Sequence, residues 1–355
     1  MRIFVNGTHA VHAGQQEMYR GRLVPCHEVP QRLDHVLAEL ERRPLAALEA
    51  APPPSRAVLE KVHSPAYLRF LESAWAEWLA LDPANQARDA FPSVWPVRGF
   101  RHDREPLNFA ARMGLYSFDT GTPLTAGTWQ AAWEGAGCAM AAARAVGTGG
   151  DAARAGVALT RPPGHHAGHD FFGGYCFINN AAVAAQTLRE LGAKRVAVLD
   201  VDYHHGNGTQ SIFYGRSDVL TVSIHGDPVT EYPFFLGHAD ETGEGDGVGC
   251  NINLPLPVGT GTADWMHALE AGVQHIRSHG AEALVVALGV DTFEGDPISS
   301  FTLASDDYLA IGRRLEAMKL PTVFTLEGGY AVEDFGVNVV NVLDGFRAAA
   351  VARAT

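Results

Sequence analysis

The chain has 355 residues, of which 46% are hydrophobic and 19% are charged, as expected for a globular protein with a large core. The net charge of −13 argues against nucleic acid or an anionic membrane as the main partner, because both attract clustered lysine and arginine. No stretch of about 18 apolar residues predicts a membrane-spanning helix. The four cysteines form no C-x-x-C pair, which favours free thiols and a cytoplasmic location.

Short apolar, β-branched runs alternate along the chain with longer Ala- and Leu-rich stretches. The runs predict strands at 2–5, 156–160, 196–199, 219–224, 284–288 and 322–326. The longer stretches predict helices at about 30–41, 65–81, 125–146, 178–191, 264–278, 305–318 and 335–350. This alternation predicts an α/β fold with a central, mostly parallel sheet and helices on both faces. Because no repeat or low-complexity linker divides the chain, we expect a single domain over residues 1–355.

Two segments lack a regular period. Residues 44–55 are rich in Ala and Pro and predict a surface connection. Residues 82–107 mix Pro, Asp, Arg and Trp, which predicts a long loop of the kind that often has a functional or interfacial role. At the helix ends, Asn179 or Asn180 is expected to cap one helix, and Gly280 is expected to end another.

Polar, chemically capable residues follow five of the predicted strands. They are found in the runs R-P-P-G-H-H (161–166), D-V-D-Y-H-H-G-N (200–207), G-V-D (289–291) and E-G-G-Y (327–330), and at His225. Each taken alone is compatible with a turn or a helix cap. In a parallel sheet, however, ligands bind beyond the carboxyl ends of the strands, so the five exits together predict one site.

The exits contain residues suited to hold a metal ion. Asp202 and His204 are two positions apart in an extended segment, so their side chains point to the same side. Asp291 would add a third ligand and leave one coordination position open, as catalytic zinc requires. Two carboxylates and one imidazole would also suit Fe(II), Mn(II) or Co(II). Such a metal would acidify a water molecule and polarise a carbonyl group.

The remaining exit residues complete the requirements of amide hydrolysis. His165 and His166 are placed to take a proton from water and return it to a leaving group. Tyr330, after two glycines, can donate a hydrogen bond to the oxyanion of a tetrahedral intermediate. Asp200 and Asn207 flank the expected ligands and could orient the two histidines.

These motifs resemble those of the histone deacetylase superfamily, and within it most closely the bacterial acetylpolyamine amidohydrolases. The resemblance rests on R-P-P-G-H-H-A-G (161–168), G-G-Y-C-F-I-N-N-A-A-V-A (173–184), D-V-D-Y-H-H-G-N-G-T-Q (200–210), G-V-D-T-F-E-G-D-P (289–297) and E-G-G-Y (327–330). It implies an arginase/deacetylase fold, a catalytic Zn(II) and a structural K+.

The resemblance also implies a role for each matching residue. Zn(II) would be held by Asp202, His204 and Asp291, and Tyr330 would polarise the substrate carbonyl. His166 would be the general base and acid, with His165 as its electrostatic partner bonded to Asp200. The K+ site would use Asp200, the backbone carbonyls of Asp202 and His204, and the Ser223 hydroxyl. The substrate tunnel would be lined by Gly174, Tyr175 and Tyr232.

The chain departs from the acetylpolyamine enzymes in one expected feature. Those enzymes place an acidic residue on a long loop that crosses a dimer interface to meet the distant ammonium groups of the substrate. Here residues 82–120 would form that capping and dimer-interface region, and Ala110 lies near the expected acidic position. Asp103 or Glu105 could substitute, although arginines surround them. A homodimer is therefore implied, while polyamine specificity is left open.

Four functions are compatible with the sequence. The first is a zinc-dependent amidohydrolase that removes acetyl or related acyl groups from small amines such as acetylpolyamines. The second is a protein acetyl-lysine deacetylase, which the long 82–107 loop disfavours. The third is a binuclear manganese ureohydrolase, which would need more bridging carboxylates. The fourth is a non-catalytic protein that binds acylated amines, which would be expected to lack one of the catalytic residues.

Overall fold

The computed structural model describes residues 1–148 and 154–354 and centres on an eight-stranded parallel sheet. Its strands are β1 (Arg2–Val5), β4 (Leu48–Ala50), β5 (Ala155–Leu159), β6 (Val196–Asp200), β7 (Val219–Gly226), β8 (Asn251–Leu256), β9 (Ala283–Leu288) and β10 (Thr322–Leu326). They lie in the order β4-β1-β5-β10-β9-β6-β7-β8. A separate antiparallel hairpin is formed by β2 (Gln16–Tyr19) and β3 (Arg22–Pro25).

Ten α-helices surround these strands in the described part of the chain. They are α1 (Gln31–Arg42), α2 (Arg56–Leu59), α3 (Pro65–Leu81), α4 (Phe109–Leu115), α5 (Thr128–Thr148), α6 (Asn180–Glu190), α7 (Asn207–Phe213), α8 (Thr262–His279), α9 (Asp307–Glu316) and α10 (Val332–Ala354). As predicted, the Asn179 side chain caps α6 by accepting a hydrogen bond from the Ala182 amide, and Gly280 ends α8 in a left-handed conformation.

The sheet separates two hydrophobic cores, as the alternation of side chains along a strand requires. In β6, Val196 and Val198 face the core built with α3, α5 and α6. The intervening Ala197 and Leu199 face the core built with α1, α8, α9 and α10. Both faces of the sheet are therefore covered by helices, which explains why the central strands are apolar throughout.

The six predicted strands are present within two residues of their expected bounds. The sequence interpretation missed the hairpin β2–β3 and the strand β8, and it assigned 44–55 to a surface connection although β4 lies inside it. β4 has only three residues and pairs with β1 at the edge of the sheet, so it has little side-chain pattern of its own. The Ala- and Pro-rich residues on both sides of β4 are typical of turns, so the sequence did not predict a strand there.

The segment from 82 to 108 has little regular structure, as predicted. After a 3-10 turn at Pro83–Ala87, no helix or strand occurs until α4 begins at Phe109. Several large apolar side chains of this segment are exposed, including Val94, Val97, Phe100 and Leu107. The last of these is 99% exposed. Exposed apolar residues grouped in this way are typical of an interaction surface.

One helix has the composition of a membrane span but packs as a core helix. Helix α10 is long and apolar enough over Val332–Ala352 to meet the criteria for a membrane span, but 56% of that window is buried inside the protein. It packs extensively against α1 and α9, which is the behaviour of a core helix.

All four cysteines lie in the described residues and are free thiols.

Candidate active site

The carboxyl ends of four adjacent strands meet at the site. β5, β10, β9 and β6 are neighbours in the middle of the sheet and run parallel, so the segments that follow them leave at the same edge. These segments bring together the predicted histidines, aspartates and tyrosine. The fifth expected exit residue, His225, instead lies inside β7, because this strand extends two residues further than predicted, to Gly226. Its Nδ1 lies 2.8 Å from the Ser223 hydroxyl of the same strand.

Asp202, His204 and Asp291 form a buried cluster, in which one potential ligand atom of each residue lies within 4.8 Å of the others. The Nδ1 atom of His204 is 3.0 Å from Asp291 Oδ2 and 3.3 Å from Asp202 Oδ1. Backbone amides fix both carboxylates, since Gly328 N donates to Asp202 Oδ2 (2.7 Å) and Tyr203 N donates to Asp291 Oδ1 (2.7 Å).

The electrostatics of this cluster fit a divalent cation. Burial and the charge of Asp202 raise the pKa of Asp291 to about 8. Burial alone would lower the pKa of His204, but the hydrogen bonds that its imidazole donates to Asp202 and Asp291 raise it to about 10. A proton on the imidazole thus supplies the positive charge that two buried carboxylates require, and a metal ion would supply it more fully. The donor set of two oxygens and one nitrogen suits Zn(II) or a similar ion.

Gly328 is required by the close approach of its backbone to these ligands. A Cβ atom at this position would lie 2.4 Å from Asp291 Oδ2 and 2.5 Å from Asp202 Oδ2. The glycine therefore lets the β10 exit pass directly against both carboxylates and bring Tyr330 to the site.

The two adjacent histidines have different partners. His165 Nδ1 lies 2.9 Å from Asp200 Oδ2, and its Nε2 lies 3.7 Å from Asp202 Oδ2. His166 Nδ1 lies 2.6 Å from the amide oxygen of Asn207, which can only accept. The Nδ1 of His166 is therefore the protonated nitrogen, and its Nε2 is left as a free base. The two rings are 4.0 Å apart.

These partners give the histidines opposite charge states. Burial opposes the charge of His165, but Asp202 and Asp200 outweigh it and raise its pKa to about 10. Burial lowers the pKa of His166 well below its usual value, and the positive charges of His165 and His204 lower it further. The His165–His166 pair therefore combines one cationic imidazole with one neutral imidazole able to accept a proton.

Glu327, which the sequence interpretation did not single out, holds the loop that carries the histidines. Its Oε2 accepts hydrogen bonds from the amides of Gly164 (2.6 Å) and His165 (3.0 Å). Thr325 donates to its other oxygen at 3.0 Å. Burial raises the pKa of Glu327 to about 7. The one feature of the sequence that could have identified Glu327 as a site residue is its position directly after β10.

Tyr330 is buried at the base of a cavity and is held from behind by Arg32. The Arg32 guanidinium lies 4.8 Å from the Tyr330 ring centroid and donates to the carbonyls of Gly329 (2.7 Å) and Glu327. Glu28 in turn pairs with Arg32 at 3.0 Å. Burial raises the pKa of Tyr330 well above its usual value, so the phenol keeps its proton and can donate it in a hydrogen bond. A fully buried arginine at the start of α1 could not be recognised from sequence alone.

A cavity of about 330 Å³ leads to the cluster. Its lining includes all three predicted tunnel residues and two of the catalytic candidates, His166 and Tyr330. The complete lining is Met18, Tyr19, Arg20, Asp119, Thr120, Gly121, His166, Gly174, Tyr175, His204, Thr230, Glu231, Tyr232, Phe234, Ile298 and Tyr330. Gly174 has a φ of +53°, and a Cβ there would lie 2.1 Å from the His166 ring. Aromatic walls of this kind suit an aliphatic chain.

The hydroxyl groups of both tunnel tyrosines reach carboxylates that the sequence interpretation missed. The Tyr175 hydroxyl donates to Glu17 Oε1 at 2.9 Å, and the Tyr232 hydroxyl donates to Asp119 Oδ2 at 2.6 Å. Glu17 lies on the undetected strand β2, and Asp119 lies in the loop between α4 and α5. Both segments lack a pattern that would have placed them at the cavity.

Asp200 and Ser223, the side chains expected at a K+ site, are directly paired between β6 and β7. Both line a second, much smaller cavity of about 10 Å³. Asp200 Oδ1 accepts a hydrogen bond from the Asp202 amide at 3.1 Å. The potassium ion itself stays a prediction.

The acidic candidates of the long loop do not reach the cavity in this chain. Asp103 pairs with Arg101 at 2.8 Å, and Glu105 lies 3.5 Å from Arg112. Ala110 is exposed on α4. Neither acidic candidate, nor Ala110, is among the residues that line the cavity.

Comparisons with known proteins agree with this geometry. Residues 26–346 match the histone deacetylase domain. The chain is 50% identical to acetylpolyamine amidohydrolase 2 of Pseudomonas aeruginosa over 95% of this chain and 96% of that protein. It is 46% identical to the acetylpolyamine amidohydrolase of Mycoplana ramosa over 97% and 99% of the two chains.

A solved structure is also similar. The crystal structure of acetylpolyamine aminohydrolase from Burkholderia pseudomallei superposes with a TM-score of 0.91 at 37% identity, covering 98% of this chain and 99% of that one. The predicted arginase/deacetylase fold is thereby confirmed. The chain belongs to the histone deacetylase family.

Proposed function

We propose that the protein is a zinc-dependent amidohydrolase that removes acetyl or related acyl groups from small amines such as acetylpolyamines. The observation that carries this proposal is the meeting, at the base of one aromatic-lined cavity, of a metal-ligand cluster, a neutral histidine and a protonated tyrosine. These are the groups that hydrolysis of an unactivated amide needs. The names of the similar proteins support the same substrate class.

Asp202, His204 and Asp291 would hold the metal. A divalent ion bound there supplies Lewis-acid chemistry, which lowers the pKa of a water molecule and polarises the substrate carbonyl. K+ would bind close by with Asp200 and Ser223, and its role would be structural.

His166 acts as the general base and then as the general acid. Its free Nε2 takes a proton from the attacking water, and the resulting cation returns that proton to the leaving amine. The hydrogen bond from Nδ1 to Asn207 fixes the required tautomer. His165, kept cationic by Asp200 and Asp202, adds positive charge beside the developing oxyanion.

Tyr330 donates a hydrogen bond to that oxyanion. Arg32 holds the backbone of the E-G-G-Y turn, so the phenol is positioned before the substrate arrives. Preorganised donors of this kind stabilise the transition state more than the ground state.

Small amides suit this cavity better than acetyl-lysine in a folded protein. The cavity has a volume of only about 330 Å³ and is walled by Tyr175, Tyr232 and Phe234, and its lining includes Asp119 and Glu231, whose carboxylates would attract a cationic amine. A binuclear ureohydrolase is disfavoured, because the second group of possible ligands in the described residues (His165, Cys176 and Glu327) shares no carboxylate with the first.

A homodimer is part of the proposal. The exposed apolar side chains of the 94–107 segment, above all Phe100 and Leu107, supply a surface that a second copy would cover. Light scattering should give the mass of a dimer, and L107E with F100E should shift it toward the monomer.

The activity is tested by acetate release from N-acetylputrescine, N-acetylcadaverine and an acetyl-lysine peptide, with and without a chelator. We expect chelator-sensitive release from the two small amides, restored by Zn(II), with slower release from the peptide. Faster release from the peptide would favour a protein deacetylase. Absence of acetate from all three substrates in the metal-loaded protein would contradict the proposal.

A further inference from the structure

The carboxylate of Asp119 connects two walls of the cavity. Its Oδ2 accepts hydrogen bonds from the Gly174 amide (2.7 Å) and from the Tyr232 hydroxyl (2.6 Å). Its Oδ1 accepts from the Gly121 amide at 3.1 Å. A carboxylate offers about four acceptor positions, two on each oxygen, so the protein itself occupies both positions of Oδ2.

Tyr232 differs from the other two donors, because the Gly121 and Gly174 amides are fixed in the backbone. Tyr232 is therefore the one donor of the three that is a cavity-lining side chain. Asp119 also lines the cavity, and the 2.6 Å distance from the phenol oxygen to its carboxylate is typical of a strong charge-assisted hydrogen bond.

We propose that Tyr232 is a specificity-determining residue whose hydroxyl occupies the acceptor position of Asp119 that a cationic group of the ligand would otherwise use. This inference rests on the proposed function. In the native protein the negative charge of Asp119 attracts an ammonium group, but direct pairing requires the ligand to displace a short hydrogen bond. The tunnel is consequently less selective for cationic amides than its acidic lining suggests.

The consequence is that removing one hydroxyl increases the preference for a cationic substrate. In Y232F, Asp119 retains the two backbone donors, and the acceptor position on Oδ2 that Tyr232 occupied becomes open. A direct ammonium–carboxylate contact then becomes available, and such a charge-assisted bond changes affinity by about tenfold or more. The change should appear in KM, because the contact lies away from the reacting atoms.

The experiment compares two amides that differ only at the far end. N-acetylputrescine carries an ammonium group, and N-pentylacetamide carries a methyl group in its place. The selectivity ratio, kcat/KM for the first divided by kcat/KM for the second, is measured for the Zn(II)-loaded native protein and for Y232F. We expect the ratio to rise by about tenfold in Y232F, mainly through a lower KM for N-acetylputrescine.

Two further variants identify the cause. Adding D119N to Y232F should abolish the gain, because the amide carries no charge. Y19F removes another cavity-lining phenol, whose hydroxyl makes no hydrogen bond to a carboxylate of the described residues, and should leave the ratio unchanged. An unchanged or lower ratio in Y232F, or a gain that survives D119N, would overturn the proposal.

Binding measurements separate this inference from the proposed function. Calorimetry on the Zn(II)-loaded protein with Y330F gives dissociation constants for both amides, because this change slows turnover by about 10²–10³-fold. We expect the same tenfold change in their ratio when Y232F is added. If the native protein hydrolyses neither amide, the proposed function fails, yet the ratio of dissociation constants still decides the role of Tyr232.

Discussion

Replacing Asn207 with aspartate is expected to make His166 more basic and to shift the pH dependence of hydrolysis. Asn207 and His166 are both buried, and the amide oxygen lies 2.6 Å from Nδ1. The substitution keeps the acceptor and its size but adds a negative charge. His165 shows the direction of the effect, because its aspartate partners raise its pKa to about 10.

The size of the shift follows from the change in the hydrogen bond. A hydrogen bond to a charged group contributes roughly 1 kcal/mol more than a neutral one, and burial limits screening by solvent. Since one pKa unit corresponds to about 1.36 kcal/mol, we expect the pKa of His166 to rise by about one unit. The acid limb of kcat/KM reports the base of the free enzyme, so it should move to higher pH by the same amount.

The assay is the pH profile of kcat/KM for N-acetylputrescine, with the metal content of each variant checked. N108D is the matched control, because Asn108 is an exposed N-cap whose role aspartate can also fill. In this control the acid limb of the kcat/KM profile should stay at the native pH. If the acid limb of N207D stays at the native pH or moves to lower pH, the assignment of His166 as the base is refuted.

Three other changes test separate parts of the account. Y330F should keep the metal but lose about 10²–10³-fold in kcat, the usual effect of removing one oxyanion donor, and near-native turnover would reject this role. D291A should lose the metal, as measured by mass spectrometry, and a fully metallated, active variant would refute the ligand assignment. Burial lowers the pKa of His63 to about 3, where its Nε2 accepts from the Asn179 amide. Because the unfolded histidine binds a proton near pH 6.5, this group should destabilise the fold by about 1.36 kcal/mol per unit as pH falls below that value. H63Q should therefore flatten the loss of denaturation free energy between pH 7 and pH 5, and an unchanged slope would contradict it.

The sheet and the residues at its strand exits could be predicted because each depends on local pattern. A buried parallel strand is a continuous apolar run, and the polar residues that follow it must appear at one edge. Asp202, His204 and Asp291 were therefore found although 87 residues separate the last two.

The supporting residues could not be predicted in the same way, because their roles depend on long-range contacts. Arg32 lies in the first turn of an ordinary helix and contacts residues almost 300 positions away. Asp119 and Glu17 reach the tunnel from irregular or very short elements, and they touch it only after the chain has folded. Short edge strands such as β4 were not predicted for a related reason, because three residues are too few to show an alternation of apolar and polar side chains.

The most direct test of the central claim is a crystal structure of the metal-loaded protein with anomalous data at the zinc absorption edge. We predict one strong peak about 2.0–2.2 Å from the carboxylate oxygens of Asp202 and Asp291 and from Nδ1 of His204, with Tyr330 facing the open side. A peak at His165, Cys176 and Glu327 instead, or none at either group in a protein that releases acetate, would contradict the account.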